Sequence, residues 1–286
     1  MSAKTVAEDD AVLYEAREAG VAIITLNRPD RMNGWGGAIA SGFYACIDRA
    51  EADPGIRAVV LTGSGRAFCA GADMGMMNTV GDSLKNANKD SVKKMVGERH
   101  PYFVTTLRKP VIAAINGACA GIGLTQALMC DVRFAASGAK FTTSFARRGL
   151  VAEYGISWIL PRLAGWGVAM DLLLSGRTFY AEEAAELGLV NWVVPAEELM
   201  SRAVGYAEDI AAHCSPWALA QMKRQAYGDA VRGVAEASAT AEALMHESML
   251  RPDFIEGIMS FFEKRAPAFP VLDGPVLDGK DSQNGA

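Results

Sequence analysis

Three short strand-like runs, at residues 58–62, 111–115 and 132–135, limit what this chain can fold into more than any other feature. The first two are apolar and mostly small or β-branched, the third sets Arg133 between Val132 and Phe134, and all are too short for a helix, which is the pattern of a strand. Gly63-Ser64-Gly65 closes the first and Asn116-Gly117 the second; a helical pattern at 118–130, rich in small residues, follows the second. Strand, turn and helix repeating in this order predict an α/β architecture.

The flanking sequence fits around these runs. Residues 13–16 and 21–26, broken at Gly20, read as a hairpin, and Asn27-Arg28-Pro29-Asp30 ends it with turn chemistry. A helix is expected over 37–53, stopped by Asp53-Pro54-Gly55. Residues 78–95 are polar and weakly patterned, and read as a mobile loop and the start of a helix that ends before Lys109-Pro110. From residue 181 the pattern turns helical, at 181–187, 196–213, 216–228, 233–249 and 252–264, with one strand at 190–194. This places an α/β core at 11–195 and a C-terminal helical region at 196–269, between loose tails at 1–10 and 270–286.

Composition narrows the function classes. A net charge of -5 argues against a nucleic-acid surface, which needs a basic stripe. The five cysteines are odd in number and lack C-x-x-C spacing, as expected of a reducing compartment. The three histidines, His100, His213 and His246, have no metal-ligand spacing, so no metal site is expected. No apolar run reaches the ~18 residues of a membrane span. The N-terminal residues carry acids and no apolar signal core, so the expected location is cytoplasmic.

Two turns combine glycine with small residues: Ala67-Phe68-Cys69-Ala70-Gly71-Ala72-Asp73 and Asn116-Gly117-Ala118-Cys119-Ala120-Gly121-Ile122-Gly123. Small residues let backbone approach a ligand, and two N–H groups converging on one oxygen make an oxyanion hole. Taken singly, Gly121-Ile122-Gly123 fits tight helix packing equally well. A dinucleotide fingerprint is missing its third glycine, the position being Gln126, and no phosphate-loop lysine is present.

Taken in order, these segments resemble the crotonase (enoyl-CoA hydratase/isomerase) family. Asn27-Arg28-Pro29 with Asn33, the segment from Arg66 to Asp73, the segment from Lys109 to Gly117, Cys130-Asp131, the segment from Ala184 to Val190, and the segment from Phe261 to Pro267 each match a family segment, across roughly residues 11 to 270. The resemblance implies a spiral of ββα turns with a C-terminal helical oligomerisation region that forms homotrimers, often paired into hexamers. It implies an acyl-CoA thioester substrate, with coenzyme A as part of the substrate and no separate cofactor. The implied oxyanion donors are the backbone N–H groups of Ala70 and Ile122, the latter an isoleucine where the family usually has glycine. Arg28, Arg31 and Lys264 are the implied coenzyme A contacts, Lys264 lent by a neighbouring subunit; exposed arginines and a helix-end lysine are also ordinary surface. Ala72, Asp73 and Phe145 complete the implied substrate site. Met74, Met76 and Met77 are candidates for an acyl tunnel or for plain core, and Cys69 reads as a small buried thiol rather than a nucleophile.

The chain departs from the family's hydratases where they carry two glutamates, because Thr125 and Phe145 stand there. Glu153 instead matches the single glutamate of the family's Δ3-Δ2-enoyl-CoA isomerases. Such a base removes a proton at one carbon and returns it two carbons away. A glutamate favoured by a helix dipole is the blander reading. The resulting expectation is an enoyl-CoA isomerase using Glu153. The alternatives are a hydratase or hydrolase using the same residue, or an acyl-CoA-binding protein with little turnover.

Overall fold

The computed structural model describes residues 11–73 and 99–272. The expectations for 1–10, for Met74, Met76, Met77 and the stretch 78–95, and for the tail beyond residue 272 lie outside the described residues.

Two sheets form the core. The first holds β1 (Val12–Ala16), β2 (Val21–Leu26), β3 (Ala58–Gly63), β5 (Val111–Ile115), β7 (Val132–Ala136) and β10 (Trp192–Val194), in the order β1-β2-β3-β5-β7-β10. The first pair is antiparallel, as the expected hairpin, and the remaining neighbours are parallel. The second sheet holds β4 (Ala67–Cys69), β6 (Ala118–Ala120), β8 (Lys140–Thr142) and β9 (Phe179–Tyr180), with only the β8–β9 pair antiparallel. The pairs β3–β4, β5–β6 and β7–β8 each give one strand to each sheet, so the chain winds as a spiral, the mixed α/β fold expected.

The apolar strands are explained by what covers them. In β2, Ala22, Ile24 and Leu26 face one core cluster, with Phe43 and Ile47 of α1 (Gly37–Ala52); Val21 and Ile23 face another. That second cluster is closed by α6 (Leu199–His213), whose Leu199, Ala203, Val204, Ala207 and Ala211 recur at helical spacing. Both faces being dry, the strands read as continuous apolar runs rather than alternating ones. Leu61 is fully buried there, and Leu61→Ala is expected to cost about 2–5 kcal/mol. The first helix beyond residue 195 is thus a layer of the core.

One element differs from expectation. Residues 118–130 are not one helix: Ala118–Ala120 is β6, and α2 (Ile122–Met129) starts only after Gly121, at φ +51°. Strand partners on both sides, β4 and β8, override the helical preference of small residues. Two further helices were not apparent in the sequence, α3 (Ile156–Ala164) and α4 (Trp166–Ser175), separated at Gly165; α5 (Ala181–Glu186) falls where expected.

The chain ends in α7 (Pro216–Asp229), α8 (Val234–Met249) and α9 (Pro252–Glu263). The Ser215 hydroxyl caps α7 by accepting from the Ala218 N–H. No residue of α8 is buried, and Val234, Leu250, Phe261 and Phe262 are 74–87% exposed. Among the described residues, no helix is long and apolar enough to cross a membrane.

Candidate active site

The two glycine-containing turns meet because β4 and β6 are parallel neighbours, so their C-terminal ends emerge side by side. Their approach requires bare backbone. A Cβ on Gly123 would fall 2.2 Å from the Cys69 carbonyl oxygen, so any other residue there would push α2 off the strand end. A Cβ on Gly121 would lie 3.8 Å from the Gly71 Cα.

The direction of each N–H decides which can bind an oxygen. The Ala70 N–H donates to the Met32 carbonyl at 3.1 Å. It is engaged within the fold, and this argues against the expected donor role. Gly71, at φ +106°, then redirects the chain into a bridge between Ala72 and Trp35. The Gly71 carbonyl accepts from the Trp35 N–H at 2.7 Å and the Asp73 N–H donates to the Trp35 carbonyl at 2.9 Å. The Ala72 N–H, between these two groups, faces the opposite side, and among the described residues it has no acceptor. The Ile122 N–H likewise has none, being in the first turn of α2, where donors lack intrahelical partners. Ala72 was expected only as a substrate contact. The glycine before it turns its N–H outward, and the positive φ of that glycine cannot be read from the sequence.

Polar side chains brace these turns. Asn33 is fully buried; its Oδ1 accepts from the Arg28 N–H at 2.8 Å, and its Nδ2 donates to the Ser64 and Ala67 carbonyls at 2.9 and 2.7 Å. Asn116 Nδ2 donates to the Gly65 carbonyl at 2.9 Å. The buried Asp73 carboxylate pairs with Arg28 at 3.2 Å and Arg31 at 3.4 Å. Both arginines are therefore held by the carboxylate of the residue that follows Ala72.

The positions of the hydratase glutamates carry no acid or base. The Thr125 hydroxyl is buried and donates back to the Gly121 carbonyl at 3.2 Å. Phe145 is buried, and its ring lies 3.8 Å from where a Gly121 Cβ would stand. The Cys69 thiol is buried and hydrogen-bonds the Gly71 carbonyl; burial pushes it up to about 11, so it stays an inert thiol at neutral pH.

Glu153 lies in a cavity of about 630 Å³ lined also by His100, Tyr102, Met129, Tyr154 and Trp158. Its carboxylate makes no hydrogen bond or ion pair among the described residues, and burial raises its pKa above the ordinary carboxylate value. Two consecutive left-handed residues, Tyr154 at φ +56° and Gly155 at φ +84°, turn the chain from Glu153 into α3. A left-handed non-glycine residue costs about 1 kcal/mol or more and tends to mark function. The cavity is linked to the two turns by α2, which runs from the Ile122 donor to Met129 in the cavity wall, ~10 Å along the axis. Lys264 ends α9, exposed and at φ +55°, and no contact places it in this cavity.

Among the described residues, no cluster of histidine, cysteine or acidic side chains could hold a metal ion. An enoyl-CoA hydratase/isomerase family model matches residues 16–271. The 1,2-epoxyphenylacetyl-CoA isomerase of Escherichia coli (strain K12) is 34% identical over 261 residues, covering 88% of this chain and 95% of that protein. A crystal structure of an enoyl-CoA hydratase from Mycobacterium marinum is 66% identical, covers 78% of this chain and all of that one, and superposes with a TM-score of 0.66. An enoyl-CoA hydratase structure from Bacillus anthracis is 30% identical, covers 91% of this chain and 99% of that one, and gives a TM-score of 0.82.

Proposed function

The chain belongs to the enoyl-CoA hydratase/isomerase (crotonase) family of enzymes, and on that premise we propose that it moves the double bond of a 3-enoyl-CoA thioester with Glu153 as the only base. The observation that carries this reading is the Glu153 carboxylate, in a cavity, without a hydrogen-bond partner among the described residues and with its pKa raised by burial.

The Ala72 and Ile122 N–H groups bind the thioester carbonyl oxygen. The Glu153 carboxylate takes a proton from C2; the C2–H bond breaks and its electron pair spreads into a dienolate, with negative charge on that oxygen. The same carboxyl then gives the proton to C4, a C4–H bond forms, and the double bond rests between C2 and C3. Nothing is oxidised, no water is added and no separate cofactor is needed. A raised pKa suits both halves, since the carboxyl must accept a proton and release it to carbon. Hydration is disfavoured because the Thr125 hydroxyl is committed to Gly121 and Phe145 is apolar.

Arg28 and Arg31, close to Ala72, are the candidate contacts for coenzyme A phosphates, using N–H groups beyond those that Asp73 engages. Asp73 acts as their anchor. The exposed apolar faces of α8 and α9 favour a trimer-based assembly, which would bring Lys264 to a neighbouring subunit. The five free thiols suit a reducing compartment such as the cytoplasm.

The test is product identification by mass and NMR from a panel of 2-enoyl- and 3-enoyl-CoA thioesters. Conversion of 3-enoyl to 2-enoyl thioester supports the proposal. A 3-hydroxyacyl thioester, free acid, or binding without turnover would each replace it.

A further inference from the structure

The wall around Glu153 bears on the acyl group. Of the nine described residues lining the cavity, four carry rings: His100, Tyr102, Tyr154 and Trp158. Three of them form an arc. The His100 ring lies between Tyr102, at 6.3 Å and 33°, and Tyr154, at 5.7 Å and 47°. Trp158 is fixed from one side, with the Arg162 guanidinium 4.1 Å from its ring centre. Tyr154 holds its place despite a left-handed backbone, and Gly155 follows so closely on Met129 that a Cβ there would fall 3.2 Å from the Met129 Cε. An alkyl chain needs none of this; valine, leucine and methionine make an equally good apolar wall for it. Against an uncharged acyl group, a ring gains beyond area burial when it meets another ring in offset or edge-to-face contact at 4.5–7 Å.

We propose that the acyl group of the substrate ends in an aryl ring, which packs against His100, Tyr154 and Trp158 with Glu153 beside the carbons between ring and thioester. The proposal rests on the isomerase reading for the identity of those carbons, but not for the ring. An aryl ring is planar, and rings tilted to one another by 33° and 47° suit offset or edge-to-face contact with such a plane. One ring-on-ring contact is worth roughly two- to tenfold in affinity, so two together give an aryl-over-alkyl preference on the order of tenfold or more.

Binding of saturated thioesters separates the two ideas, because it needs no turnover. Dissociation constants of 4-phenylbutanoyl-CoA and decanoyl-CoA, which have equal carbon counts, are measured by calorimetry on the native protein, on His100→Leu and on Tyr154→Asn. Asparagine tolerates the left-handed backbone and removes the ring; His100→Leu keeps the test open if the Tyr154 variant does not fold. We expect the native protein to favour the aryl thioester by about tenfold, and each variant to bring the ratio towards one. Equal or tighter binding of decanoyl-CoA by the native protein, or a ratio that neither variant changes, overturns the proposal. An aryl preference with no isomerisation of 5-phenyl-3-pentenoyl-CoA, whose double bond is not conjugated to the ring, would leave the ring assignment standing and remove the isomerase reading. Isomerisation of aryl and alkyl 3-enoyl thioesters at equal kcat/KM, with equal binding, would do the reverse.

Discussion

Asp131 and Glu153 are both carboxylates flanking the same region of the core, and their surroundings differ completely. Asp131, between α2 and β7, accepts from the Val111 N–H at 2.7 Å, from Lys223 Nζ at 2.7 Å and from the Tyr227 hydroxyl at 3.2 Å. It ties the start of β5 to α7. The Glu153 carboxylate accepts from nothing among the described residues and faces a cavity. A carboxylate that holds a fold together is saturated with donors, while one that must take up and release a proton is left without them. The motif residue Asp131 is thus architecture, and the carboxylate without partners among the described residues is the one proposed for the chemistry.

The comparison breaks most visibly at Glu153. Glu153→Gln keeps the shape of the side chain but cannot accept a proton, and general-base loss is worth roughly 100- to 10,000-fold in kcat. Acyl-CoA affinity, measured alongside, should stay near the native value. The same substitution should leave the melting temperature at pH 7 equal or slightly raised. Burial lifts the folded pKa above the unfolded one, so the folded state holds more protons in that window and stability falls as pH rises through it. A glutamine has no such penalty.

Next in size is the oxyanion pair. Ala72→Pro removes a donor that has no acceptor among the described residues and should cost about 100-fold or more in kcat. Ala70→Pro removes the bond to the Met32 carbonyl, so its main effect should be a loss of about 1 kcal/mol in denaturant unfolding. The reverse pattern would return the donor role to Ala70.

The pH dependence is a finer test. The base must be ionised, so kcat/KM should fall about tenfold per pH unit below a limb set by Glu153, and that limb should lie above the ordinary carboxylate value of 4.5 because of burial. A limb at or below that value would mean a solvated base.

Asp131→Asn should affect stability and not chemistry. It leaves the Lys223 charge, almost wholly buried, without its partner, at a cost of about 3 kcal/mol in unfolding free energy. The kcat of the folded fraction should not change. A loss of kcat with full stability would blur the distinction between the two carboxylates.

Much of this was legible in the sequence. The apolar strands were, because being dry on both faces leaves a continuous run, and the C-terminal helices were, because their faces repeat at helical spacing. The ordered motifs gave the family and pointed to Glu153. Strands β4, β6 and β8 were not legible: at three residues each they have no period, and Ala118–Ala120 suits a helix as well as a strand until its neighbours are known. The choice between Ala70 and Ala72 was hidden for a similar reason. Both are alanines beside Gly71, and only its φ of +106° determines which N–H is turned outward. The ion pairs of Asp73 with Arg28 and Arg31 join residues more than 40 positions apart, a distance that only the fold closes.

The central claim is that one carboxyl carries the proton from C2 to C4. It is tested most directly with a 3-enoyl-CoA deuterated at C2, the product being read by NMR early in the reaction. The account expects a 2-enoyl thioester with part of the C2 label at C4, and no such product from Glu153→Gln. A C4 position holding only solvent hydrogen, together with native-rate turnover by Glu153→Gln, would contradict it.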